Sequence, residues 1–557
     1  MNAAERSSLA ERFYTHRVDN QPPPLVPYDP YDTDLPLREA LAREGGAWGE
    51  REVAAYGKQI GGELMEAGRL ANENKPKLRQ FDAYGQRIDE VEFHPAYHQL
   101  MAASVRHGVP SFAWRHADRS GAHVARAALS YLDYMADQGH CCPVTMTYAS
   151  VPVIRQQPEL AAAWLPRILS TDYDPRCLPA WEKTGNTIGM GMTEKQGGSD
   201  VRSNTTKAYP VGSRGPGKLY ELVGHKWFYS APMCDAHLVL AQTDGGLSCF
   251  LLPRYTPDGV LNAVRIQRLK DKLGDWSNAS SEVEFCGAAA WMVGEEGRGV
   301  ATILEMVSLT RQDCLIGSAS LMRQALAQAL HHARHRSAFG KRLVEQPLMK
   351  NVLADLALES EAAVALTMRV ARAVDSSPRD AAERAFARIA TAIAKYWVCK
   401  RAPAFVNEAQ ECLGGAGYVE ESVLARLYRQ APLNSIWEGC GNIQCLDVLR
   451  ALSREPATRD ALFAELGMAA GGHPALDAAV ARLAADYADT DSLESRCRAL
   501  VERTALALQA VLLVRAGNQA VAAAFCESRL AGAYGMAFGT LPPTAPMDAL
   551  IERALPA

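Results

Sequence analysis

The stretch SIWEGCGNIQ, residues 435–444, sets one carboxylate, Glu438, between Trp437 and a cluster of small residues. A carboxyl beside an indole is partly desolvated, which raises its pKa and makes it a better base near neutral pH. Gly439 and Gly441 leave backbone amides able to face a ligand. The same residues also suit a surface glutamate just ahead of a helix capped by Asn442.

Four other stretches carry candidate chemistry. GMGMTEKQGGSDV, residues 189–201, pairs glycines such as Gly198 with the hydroxyls of Thr193 and Ser199, beside Met192. Such a loop can hold the ring edge or pyrophosphate of a dinucleotide, or be a plain glycine turn. GHKWFYSAP, residues 224–232, offers Trp227 and Phe228 as a wall for a flat ring, or as core aromatics of a strand. RHRSAFGKRL, residues 334–343, closes a long helix; its cations suit the helix dipole, or Arg336 pairs with a phosphate. ECLGGAGYVEES, residues 411–422, is a helix stop whose bare backbone at Gly414 and Gly415 can also lie against an adenosine diphosphate. His331 and His335 share a helical face, but position 332 is histidine where a zinc-protease motif needs glutamate, and no metal site is expected.

The elements that must position these residues change along the chain. Six prolines in the sixteen residues 21–36 close an extended arm over residues 1–36, either laid across a neighbouring subunit or a disordered tail. Residues 37–183 read as a helical domain. Short β-type runs then fill residues 184–299, where Val283 and Phe285 alternate with Glu282 and Glu284. Helical period returns at Val300, with Ile303, Met306 and Val307 on one face, and residues 300–455 suit an antiparallel bundle. Residues 456–557 read as an alanine-rich helical extension.

Composition narrows the class. The 557 residues are 48% apolar and 22% charged, with a net charge of −4, so no global field draws the chain to nucleic acid or a membrane. The opening residues lack the apolar stretch of a signal peptide, and no run nears the roughly 20 residues of a membrane span. The expectation is a cytoplasmic protein. Its 13 scattered cysteines, without C-x-x-C spacing, read as reduced thiols.

The motifs together, in this order, resemble the acyl-CoA dehydrogenase family. MTEKQGGSDV resembles its flavin loop, RSAFGK its arginine-x-x-Phe-Gly motif, and LGGAGY and the aromatic-Glu-Gly stretch also match. FHPAYH, SGAHVARAA, GHKWF, RLKDKLG, SNAS and SIWEGCGN resemble the branch of that family tied to the adaptive response to DNA alkylation. The resemblance runs from about Gln21 to about Arg450.

It implies a mainly α fold: an N-terminal helical domain, a central β-barrel or sandwich and a C-terminal four-helix bundle, here with an extra helical extension. It implies FAD between the β domain and the bundle, its adenosine end reaching a neighbouring subunit of a homotetramer. Met192, Thr193, Gly198, Ser199, Trp227, Ser230 and Pro232 would meet the cofactor from the β domain. Arg336, Phe339, Gly414 and Gly415 would meet it from the bundle, and Ile436, Trp437, Gly439 and Asn442 would complete the pocket. Glu438 matches the family's base, which removes the proton α to an acyl-CoA thioester carbonyl while hydride leaves the β carbon. Cys440 stands where the family has threonine and the branch serine; a thiol is a poor donor. Trp437 is bulky and narrows the acyl pocket, which implies weak activity on ordinary acyl-CoAs. The branch also implies double-stranded DNA as a partner, with Arg450, Arg496 and Arg503 as the candidate contacts. Beyond Arg450, however, nine arginines face twelve acids. A DNA-associated flavoprotein that protects DNA or deactivates alkylating agents without productive dehydrogenation is the alternative reading.

Overall fold

Asp34 starts the regular structure. Its carboxylate accepts the Leu37 N–H at 3.1 Å, answering an orphan donor of the first helical turn. Pro36 follows in that turn, where a missing N–H is harmless. The computed structural model describes residues 15–489 and 491–556. Helices α1 (Leu35–Arg43), α2 (Glu50–Gln59), α3 (Met65–Glu73), α4 (Pro95–Arg106), α5 (Phe112–Arg115), α6 (Ala122–Ala136), α7 (Cys141–Arg155) and α8 (Pro158–Ile168) form the first layer. α6 and α7 are buried almost all round, the mark of helices inside a large core.

Two readings are corrected here. The helical stretch contains a hairpin, β1 (Lys77–Phe81) and β2 (Arg87–Glu92). Its strands are short and polar, so no apolar alternation marks them in the sequence. Gln80 Nε2 ties the hairpin to the Ile266 carbonyl at 2.7 Å. The proline-rich arm, over its described part, packs on its own chain. Tyr28 N–H donates to the Gly61 carbonyl at 3.1 Å, Arg323 pairs with Asp34 at 3.2 Å, and Leu25 and Tyr31 are buried. Residues 1–14 of that arm lie outside the described residues.

Strands β3 (Ile188–Gly191), β4 (Lys207–Pro210), β5 (Leu219–Ser230), β6 (Ala236–Thr243), β7 (Gly246–Pro253), β8 (Val264–Leu269) and β9 (Ser280–Val293) form one sheet. The path β6–β7–β9–β5–β4 closes on itself through Lys207 and Gln242. Closure hides the strand edges. β3 adds in parallel to β6, and β8 pairs with β9. Val283 and Phe285 point into the barrel core and Glu284 is exposed, as the alternation predicts; Glu282 departs from it, buried under Arg268 at 2.7 Å and Lys270 at 2.6 Å.

The bundle is built from α9 (Gly299–His335), α10 (Pro347–Ser376), α11 (Ala381–Cys412) and, after the short α12 (Gly415–Tyr418) and α13 (Val423–Gln430), α14 (Gly441–Arg454). A small hairpin, β10 (Ser337–Ala338) and β11 (Lys341–Arg342), joins α9 to α10. Ile303, Met306 and Val307 are buried together, as their spacing predicts. The extension follows as α15 (Pro456–Gly467), α16 (Pro474–Ala488), α17 (Leu493–Ala516), α18 (Gln519–Phe525) and α19 (Met547–Arg553). It shares one apolar core with the bundle: Leu462, Leu508, Leu512 and Ile551 join the cluster that holds Leu356, Leu366 and Phe405. Buried ion pairs seam the join, Arg369 to Glu465 at 2.7 Å and Arg529 to Asp355 at 2.5 Å. The fold class is the one the motifs imply. No described helix is long and apolar enough to cross a membrane, and all 13 cysteines are unpaired.

Candidate active site

Glu438 sits on the loop between α13 and α14, in the left-handed backbone region at φ +58°, followed by Gly439 at φ +95°. A non-glycine residue keeps such a conformation only where the surroundings impose it. Here three consecutive carbonyls are held. Lys395 Nζ donates to Trp437 O at 2.9 Å and to Gly439 O at 3.0 Å. Arg311 Nε donates to Glu438 O at 2.9 Å. Gln444 Nε2 adds a bond to Gly439 O at 2.8 Å. The Trp437 indole N–H donates to Asn434 Oδ1 at 2.9 Å, which fixes the ring.

The Glu438 carboxyl is half-buried and accepts the Thr310 hydroxyl at 2.7 Å. Burial raises its pKa above the usual glutamate range; the Thr310 hydrogen bond and the charges of Lys395 and Arg311 only partly offset this. The result is a base poised nearer to neutrality than a solvated glutamate. Asn442 does not cap the following helix. α14 begins at Gly441 with Cys440 in the cap position, and the thiol makes no cap bond; Asn442 is exposed in the first turn.

The β domain brings a second loop up to this one. Met192 follows β3, and both Met192 and Trp437 pack on the apolar cluster that contains Met190, Ile303 and Met306. Glu194 anchors the loop from inside through Lys226 at 2.8 Å, both side chains fully buried. Burial opposes its charge, but Lys226 and the Thr205 and Thr206 donors hold Glu194 below the usual range, at about 2. Thr193 O accepts the Trp227 N–H at 2.8 Å. A Cβ on Gly198 would come within 2.5 Å of the Thr193 hydroxyl, so glycine lets the loop close. Ser199 is exposed at its rim, and Ser230 is half-buried at the end of β5. Lys270 Nζ lies 3.3 Å from the centre of the Trp227 ring, so one face of that ring is already covered by a cation. Pro232 is buried beside a small cavity with Tyr229, His237 and Arg254.

The other predicted residues lie elsewhere. Arg336 ends α9, 26 residues after Thr310, about 39 Å along the helix axis. It donates to Asn20 O at 2.7 Å. Phe339, in the hairpin turn, is 99% exposed at φ +52°. Gly414 and Gly415 stand past the end of α11 with open space where a Cβ would be. Within one chain, Arg336 and Phe339 thus stand apart from Glu438, with Ile436 (62% exposed) and Trp437 on the near side. Among the candidate DNA contacts, Arg450 pairs with Asp447 at 3.4 Å, Arg496 with Asp489 at 3.1 Å and Arg503 with Asp486 at 2.5 Å. His331 meets the Pro23 carbonyl at 2.7 Å and His335 the His331 carbonyl at 2.8 Å. Elsewhere, Asp133, His140 and Cys141 cluster in the core. Burial alone would lower the imidazole pKa, but Asp133 and Asp137 raise it to about 10.

The sequence reading missed Thr310, Arg311, Lys395 and Asp447. Asp447 pairs with Arg311 at 2.8 Å and Arg388 at 3.0 Å, so α14 clamps the arginine that clamps the loop.

Three family models cover most of the chain: the adaptive response protein AidB N-terminal domain at residues 20–175, the acyl-CoA dehydrogenase middle domain at 189–287 and its C-terminal domain at 297–453. The chain is 51% identical to AidB of Escherichia coli (strain K12) over 85% of its own length and 86% of the relative's. It belongs to the acyl-CoA dehydrogenase family. Within that family it is of the AidB type, a flavoprotein oxidoreductase with FAD as cofactor. Caenorhabditis elegans ACDH-11, solved in complex with C11-CoA, superposes with a TM-score of 0.84 over 93% of this chain and 95% of that one, at 27% identity. An acyl-CoA dehydrogenase from Bacillus anthracis complexed with FAD shares the fold at a TM-score of 0.63 and 19% identity, over 78% of this chain and 81% of that one.

The residues around Glu438 fit such a cofactor. The hydroxyls of Thr193 and Ser199 and the backbone N–H of Glu438 have no partner among the described residues. They are donors left over beside an apolar floor, as a flavin and its pyrophosphate require.

Proposed function

We propose that this AidB-type flavoprotein dehydrogenates an acyl-CoA thioester, with Glu438 as the base that takes the α-proton. The observation that carries the proposal is the Glu438 loop: a raised-pKa carboxylate on a left-handed backbone, held by Thr310 and flanked by a tryptophan that shares an apolar cluster with Met192 of the β-domain loop. FAD, when bound, supplies the acceptor for the hydride that leaves the β carbon. Thr193 and Ser199 would hold its polar edge, Trp227 and Ser230 would border it from the β domain, and Trp437 would exclude water from the site. The Glu438 N–H donates to the thioester carbonyl as negative charge grows there, a stabilisation of about 3–4 kcal/mol for one such donor. The proton moves to a Glu438 carboxylate oxygen. Trp437 fills space against the acyl chain and keeps turnover of ordinary acyl-CoAs low.

A homotetramer accounts for the distant residues. Phe339, Leu348 and Tyr418 are 99%, 84% and 84% exposed, apolar side chains that a second copy of the chain would cover. Arg336, Phe339, Gly414 and Gly415 would then meet the adenosine end of the neighbour's FAD.

The test is an anaerobic titration of the yellow protein with straight and branched acyl-CoAs. Loss of flavin colour supports dehydrogenation; a protein that no acyl-CoA bleaches overturns it and favours the DNA-associated, alkylation-response reading. That reading finds little at its three candidate arginines, Arg450 in the bundle and Arg496 and Arg503 in the tail, because each already holds an aspartate. Retarded migration of duplex DNA that weakens steeply with salt would support it.

A further inference from the structure

We infer that Lys395 is the positioning residue for the Glu438 base, holding the loop from beneath so that the carboxylate faces the acyl thioester. The inference rests on Glu438 acting as the base. Lys395 lies near the middle of α11 with 1% exposure. Its Nζ donates to the carbonyls of Asn434, Trp437 and Gly439 at 2.9, 2.9 and 3.0 Å. An ammonium has three N–H groups, and all three are used on the one loop. No carboxylate pairs with it among the described residues. A buried cation without an ion-pair partner is costly unless every donor is answered. The loop's backbone answers all of them.

The three carbonyls also need the cation. Their oxygens converge on one buried point and would repel one another without it. Two of them belong to the residues on either side of Glu438, at the left-handed stretch. If those peptides turn, the Glu438 side chain swings with them. The groups facing Glu438 are Thr310, Arg311 and Cys314 from α9 and Lys395 from α11, while Asp447 of α14 engages Arg311. Of these, Lys395 alone grips the loop at three places. Its charge also favours the ionised carboxylate.

The experiment compares the flavin-loaded native protein with Lys395→Met, Lys395→Gln and Glu438→Gln. Anaerobic bleaching by butyryl-CoA and by a C11 acyl-CoA is followed against pH, and amide hydrogen exchange is followed over residues 434–441. Lys395→Met keeps its flavin but bleaches about 100-fold more slowly at saturation, with the half-saturating thioester concentration little changed. Its acid limb moves to higher pH, and exchange quickens in residues 434–441 alone. Lys395→Gln, which can donate two of the three bonds, falls between. Lys395→Met that bleaches like the native protein, with an unmoved limb and native exchange, overturns the inference. So does loss of flavin in both lysine variants, because Lys395 would then serve the bundle and not the base. If Glu438→Gln bleaches at the native rate, the Glu438 reading itself fails, whatever the lysine variants do. If no acyl-CoA bleaches the native protein, the exchange arm decides: native protection at residues 434–441 in Lys395→Met overturns the inference.

Discussion

The Thr310 hydroxyl donates to Glu438 Oε2 across 2.7 Å, joining α9 to a loop 128 residues later in the chain. A hydrogen bond to an ionised group is worth about 1.5–3 kcal/mol. Thr310→Val removes it and leaves the burial that raises the Glu438 pKa. Bleaching by acyl-CoA is expected to slow roughly tenfold, with the acid limb of its pH profile displaced upward. A profile that superposes on the native one would show that the hydroxyl leaves the proton transfer untouched.

Glu438→Gln should lower the bleaching rate by about 10²–10⁴-fold and raise thermal stability at neutral pH. The sign follows from the raised pKa. The folded carboxyl holds its proton to higher pH than the unfolded one, so stability falls as pH climbs through that window. Glutamine carries no such penalty. Melting curves of the two flavin-loaded proteins at neutral and acidic pH check it: the gap favouring the variant closes in acid.

Cys440 occupies the cap position of α14 without a cap bond. Cys440→Ser supplies a hydroxyl that accepts a first-turn N–H, for about 1 kcal/mol of added stability. Urea denaturation measures that gain, and dialysis against flavin-free buffer measures whether FAD is held longer.

His140 lies between Asp133 at 2.9 Å and Asp137 at 3.0 Å, all three buried. Its pKa rises to about 10 from an ordinary 6.5. The stability it contributes is full below pH 6.5 and is lost as pH rises through about 10. His140→Gln removes the cation between two buried carboxylates and should cost about 3–5 kcal/mol. Denaturation from neutral pH to pH 10 should bring the native protein down toward the variant.

How much was legible depended on where the contacts lie. Glu438, Trp437 and Gly439 stand side by side, so their chemistry could be read from one short string. The β barrel announced itself through alternation at Val283 and Phe285. The partners of Glu438 did not. Lys395 sits 42 residues before Trp437 and Arg311 127 residues before Glu438. A lysine or arginine within a helix reads as a solvated face until the packing turns it inward. The hairpin at Lys77–Glu92 was hidden for the opposite reason, since its polar strands carry no apolar period. Asn442 was read as a cap because its residue type suits one, but the chain enters the helix two positions earlier, at Cys440.

The continuous core beneath the last hundred residues has a consequence for anyone cutting the gene. A fragment ending near residue 455 would strip Leu462, Leu508 and Ile551 from the flank of the bundle and strand Arg369, Asp355 and Glu359 without their far-side partners. It would come out of cells as sticky, ill-formed material. The tail is a wall of the building, and cutting it away is expected to cost the rest its fold.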